Sequence, residues 1–163
     1  MKKKLVEHWK KLVRDRMALH FPIMKEHGLS GEEKKLFVPT ALVFREELGN
    51  SKWGLCVFTA DARDDDRILA SVGWSFVEAF RPVKLRDGLT ELRDGARFPR
   101  SSGAWGIDGI EILAGKNVSL GWRVDTDPQQ FEASCSRALD ETFEMLVAEV
   151  PAFFFRIRET TPD

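Results

Sequence analysis

The chain has 163 residues, 43% of them hydrophobic and 31% charged, with a formal net charge of −1. That length suits a single domain, 1–163, which buries roughly 70% of the surface its unfolded form exposes. Two cysteines, Cys56 and Cys135, are too few for a disulfide framework or a zinc site, and both read as buried thiols in a reducing, cytoplasmic setting. No stretch approaches the roughly 18 apolar residues of a membrane span, so no membrane partner is expected.

Leu5, Val6, Trp9, Leu12, Val13 and Met17 recur at three- and four-residue spacing and predict a first helix with Lys3, Lys10, Lys11 and Arg14 on its other face. Pro22 ends or kinks it. Gly28 is a stop signal, and Ser30 with Glu33 has the spacing of a capping box for one short turn. A first strand is predicted over about 38–47, with Pro39 placing its start at a sheet edge. Gly49-Asn50-Ser51 supplies turn chemistry before Trp53.

Two strand-forming runs then flank Asp61-Ala62-Arg63-Asp64-Asp65-Asp66-Arg67, a link too charged to be buried, which predicts a hairpin with an acidic tip. On its second run Ile68, Ala70, Val72, Trp74 and Phe76 alternate with Ser71, Gly73 and Ser75, so Trp74 and Phe76 are expected in the core. Leu85-Arg86-Asp87-Gly88 recurs as Leu92-Arg93-Asp94-Gly95, a spacing that a short helix bearing Leu85, Leu89 and Leu92 explains without a repeat. Residues 97–103 read as a loop, and strands are predicted around 105–113 and 118–124.

Asp127, Pro128 and Gln130 supply an N-cap, a first-position proline and a capping-box partner. The helix they begin carries Phe131, Cys135, Ala138, Leu139, Thr142 and Leu146 on one face, and Pro151 is expected to stop or kink it. Ala152-Phe153-Phe154-Phe155 is too apolar to trail in water. The predicted fold is therefore α+β: an antiparallel sheet of four to six strands with the N-terminal and C-terminal helices packed on one face. Links at 48–52 and 61–67 are too short for the crossovers of a parallel sheet.

Charge is unevenly placed. Residues 1–35 hold ten Lys/Arg against five Asp/Glu, so a basic arm precedes an acidic body. Asp61, Asp64, Asp65 and Asp66 form a docking surface for a basic partner or a solvated turn; they lack the glycine and closing glutamate of a calcium loop. Lys10 and Arg14 mark a second contact surface. Asp108, Glu111 and Lys116 have the residue types of a metal-dependent nuclease, but Glu111 and Lys116 are five apart where two would aim both to one side. His8, His20 and His27 fit no two-histidine metal motif. Trp53, Trp74, Trp105 and Trp122 fall on predicted strands with few basic residues between them, which favours core packing under the helices over a nucleic-acid stacking platform.

The sequence thus points first to a non-enzymatic protein-binding module with a protein partner, no cofactor and no metal. Small bacterial immunity or antitoxin proteins are one class of this size and charge layout. A metal-dependent phosphodiesterase using Asp108 and Glu111 is the alternative. Nucleic-acid binding through the basic N-terminal helix comes third, because the acidic body repels phosphate.

Overall fold

A computed structural model describes residues 1–31, 34, 39–49, 52–60, 67–75, 81–84, 90–94, 96–97 and 121–159. Its first element is helix α1, Lys3–His20, and all six residues of the apolar stripe are buried on it. The helix ends before Pro22, with the Phe21 N–H donating to the Met17 carbonyl at 2.8 Å. Strands follow as β1 (Lys25–His27), β2 (Leu42–Gly49), β3 (Lys52–Ala60), β4 (Arg67–Ser75), β5 (Arg81–Lys84), β6 (Thr90–Asp94), β7 (Ala96–Arg97) and β8 (Gly121–Arg123). Helix α2, Phe131–Glu159, is the last element.

Among the described residues the main sheet runs β1-β2-β3-β4, with β7 and β8 both pairing along β4. Every pairing is antiparallel, so the α+β architecture read from the short links holds. Gly49 closes the β2–β3 hairpin at φ +88°, a left-handed value that glycine adopts without strain. In the next hairpin Ala60 lies opposite Ile68, so residues 61–66 join the strand ends.

Alternation along the strands sorts the core. Leu42, Phe44 and Leu48 of β2, Cys56, Phe58 and Ala60 of β3, and Ile68, Ala70 and Val72 of β4 form one cluster with the buried faces of both helices. An aromatic column ties the layers together: Phe44 meets Phe58 edge-on, Phe58 stacks on Phe143 of α2 at 5.6 Å and 7°, and Phe143 meets His20 at 5.7 Å. On the opposite sheet face Val43, Leu55 and Val57 form a smaller cluster with Leu29 and Ala41.

The two helices run parallel. His8 approaches Glu132 at 3.6 Å, Arg16 reaches Asp140 at 3.0 Å, and His20 stacks on Phe143, so the partners rise together along both chains. The second half of α2 then lies over the sheet, where the Phe154 ring covers Gly54 and Arg158 reaches Glu46 at 3.7 Å. At its start the Asp127 carboxylate accepts from the Gln129 N–H, and its carbonyl from Gln130 and Phe131, all at 2.9 Å. Asp127 is thus the N-cap the sequence predicts, but its own N–H donates to the Asp125 carboxylate at 2.9 Å and not to Gln130, so the predicted capping box is replaced by that contact.

Several local expectations are corrected. The strand predicted over 38–47 begins at Leu42, and Pro39 sits in the turn before it. β1 pairs with Val43–Arg45 only, so among the described residues the segment from Pro39 to Leu42 precedes that pairing. Thr40 extends the ladder by its side chain instead: its hydroxyl donates to the Ala60 carbonyl at 2.7 Å and accepts the Ala60 N–H at 3.0 Å. Of the short helix expected to carry Leu85, Leu89 and Leu92, Leu92 lies instead on β6, paired with β5, where the β-branched Thr90 weighs against a helix; Leu85 and Leu89 fall outside what is described. Pro151 does not stop α2, which continues for eight residues beyond it; it lies on the solvent side, where the carbonyl it leaves unbonded meets water. The strand predicted at 105–113 and the burial of Trp74 and Phe76 fall outside what is described.

Candidate partner-binding cleft

Glu26 ties the basic face of α1 to the sheet. Glu26 faces the helix side of β1 because it lies opposite Phe44, and there it accepts two hydrogen bonds from Arg14, from Nε at 2.7 Å and Nη2 at 3.1 Å. The hydrogen bond, more than the charge, raises the Arg14 pKa. Lys10 lies one turn earlier and approaches Glu7 at 3.8 Å.

Between this helix face and the start of β2 is an open cleft of about 450 Å³. Its rim carries Lys10, Arg14, His27 and Lys34, with Glu26 the one carboxylate among the described residues that line it, and its floor includes Leu29, Ala41 and Val43. Those floor residues belong to the apolar cluster on the sheet face away from the helices. The cleft thus joins a cationic rim to an apolar floor, which suits an acidic segment that carries an apolar side chain.

Of the sequence-predicted contact residues, Lys10 and Arg14 therefore meet on one cleft. Asp61, Asp64, Asp65 and Asp66 lie outside the described residues, as do Asp108, Glu111 and Lys116. The histidines are dispersed: His8 packs against Phe131, His20 stacks on Phe143, and His27 lines the cleft. Among the described residues no three His, Cys, Asp or Glu side chains come together as a metal site. Cys56 and Cys135 are free and buried, as expected; burial pushes the Cys135 thiol up to about 12 and the Cys56 thiol higher still, so neither is a nucleophile near neutral pH.

Trp53 corrects the packing expected of the strand tryptophans. It alternates with Leu55 and Val57, so it lies on the face away from the helices, half-buried, with the Arg45 guanidinium 4.6 Å from its ring centre. Trp105 and the side chains of Trp74 and Trp122 lie outside what is described.

His27, Leu29, Lys34 and Ala41 were not legible as cleft residues. The segment Lys25-Glu26-His27 has no apolar residue to announce a strand, and it becomes one only by pairing with β2. A second cavity of about 500 Å³ lies beside the start of α1, lined by Lys2, Lys4, Leu5, His8, Thr126 and Pro128 among others. No helix among the described residues is long and apolar enough to cross a membrane. No protein-family model matches the chain, nor does any curated protein or solved structure.

Proposed function

We propose that the chain is a non-enzymatic protein-binding module, of the immunity or antitoxin type its size and charge layout suggest, that receives an acidic segment of its partner in the α1–β1–β2 cleft. The observation carrying this reading is the cleft itself: among the described residues Lys10, Arg14, His27 and Lys34 line it with Glu26 as the lining carboxylate, beside an apolar floor. Rim charges of one sign steer an oppositely charged partner and add to its on-rate, while the floor supplies the dry contact.

Nucleic-acid binding by the same helix is less well supported. Lys10, Lys11, Arg14 and Arg16 each have a carboxylate partner, in Glu7, Asp15, Glu26 and Asp140. A phosphate backbone would have to displace all four partners along the length of the helix, whereas an acidic segment in the cleft meets two of them and gains the apolar floor besides.

The test is a titration of the isotopically labelled chain with short acidic peptides bearing one large apolar residue, beside neutral and basic peptides of the same length. Resonance shifts are expected around Lys10, His27, Leu29 and Ala41, with affinity falling as salt rises. Glu26→Gln should tighten acidic-peptide binding, by removing an opposing charge from the cleft, and change stability by less than about 1 kcal/mol, the range of an exposed ion pair. Equal binding of the basic peptides, or shifts confined to other surfaces, would overturn the reading.

A further inference from the structure

The outer face of the second half of α2 has no cover among the described residues. Val147 is 46% and Phe155 61% exposed, and Ala148, Pro151 and Ala152 are exposed with them. Spaced by one, three or four residues, these five make one apolar stripe along the helix. Scattered apolar side chains on a surface are ordinary, but a contiguous stripe ending in an exposed phenylalanine marks a contact.

The stripe has a symmetry that selects its occupant. Val147 and Phe155 lie four residues to either side of Pro151, and Glu144 and Arg158, of opposite charge, lie seven residues to either side. Both are exposed. We infer that the second half of α2 pairs with a second copy of this chain, antiparallel about a two-fold axis at Pro151.

That axis sets each Val147 against the partner subunit's Phe155 and each Glu144 against the partner subunit's Arg158. Seven residues are two helical turns, so the charged pair closes the same seam that the apolar residues fill. An isologous contact of this kind needs one self-complementary patch, which is what the charge order supplies. Arg158 also reaches Glu46 of its own chain, and its five donors serve both carboxylates. An anionic lipid surface fits less well, because the exposed Glu141, Glu144 and Glu159 lie on the same side of the helix. Two short helical stripes bury less than a standard interface, so the pairing is weak, with a Kd on the order of 10–100 µM.

Sedimentation equilibrium of the full chain from about 1 to about 500 µM brackets that affinity and should show a reversible monomer–dimer equilibrium. Val147→Ser and Phe155→Ser should each weaken it by about tenfold or more while melting like the wild type, since both sites are exposed in the monomer. The register is read by cross-linking: Pro151→Cys should form a covalent dimer with oxidised glutathione, and Ala133→Cys, exposed near the start of the same helix, should not. The two native thiols are buried and leave the introduced cysteine as the reactive one. A chain that stays monomeric throughout overturns the inference, whether the stripe then proves to seat on phosphatidylglycerol vesicles or on another protein. So does Phe155→Ser dimerising as the wild type does, or Ala133→Cys cross-linking as readily as Pro151→Cys.

Discussion

A methyl group added at Gly54 would land 2.7–2.9 Å from three carbons of the Phe154 ring. The tip of the ring meets the bare backbone of β3, and that contact sets how closely the end of α2 approaches the sheet. Gly54→Ala should therefore cost about 1–3 kcal/mol by chemical denaturation, the range for overpacking a filled site. Shrinking the opposing ring with Phe154→Leu in the Gly54→Ala background should recover part of that loss; an additive double variant would show that the two sites do not share the contact. A lone glycine inside a strand run is a legible sign of close approach. What approaches is not legible, because Phe154 is a hundred residues away and belongs to a helix whose facing is set by packing.

Elements with internal logic were readable from the sequence, and those made by their neighbours were not. Helix α1 has its apolar stripe, α2 has its cap and stripe, and the β2–β3–β4 meander has alternation and turn residues; each carries its own signal. Strand β1, three polar residues held by β2 on one side and by Arg14 above, carries none. Glu26 and His27, which it brings to the candidate cleft, were missed with it. Packing between elements converges on Phe143, which touches Phe58 of the sheet and both His20 and Phe21 at the end of α1. Phe143→Ala should cost about 3–5 kcal/mol, more than truncation of a side chain with neighbours in a single layer. A loss near 1 kcal/mol, measured by denaturant midpoint, would mean the column rearranges to fill the gap.

At the scale of the whole molecule, one of the described carboxylates should give stability a pH dependence. Burial raises the Glu46 pKa, and Arg158 offsets only part of that shift. The folded chain thus keeps this proton to a higher pH than the unfolded chain does. Stability from this residue is intact below the ordinary carboxylate range and is lost as pH climbs through the folded value. Glu46→Gln cannot ionise, so its stability relative to wild type should grow between about pH 4 and about pH 7. Thermal melts across that range decide the matter, and a gap that is constant or closes with rising pH would refute the assignment. The parallel pairing of α1 with α2 has a further consequence, for the protein during its synthesis. The apolar undersides of α1 and of the meander are complete by Ser75, yet the helix that completes their core ends at Glu159. At typical elongation rates that interval lasts roughly 4–17 s. For that time those apolar surfaces lack the helix that packs on them, and the growing chain should be open to aggregation or chaperone capture until α2 is made.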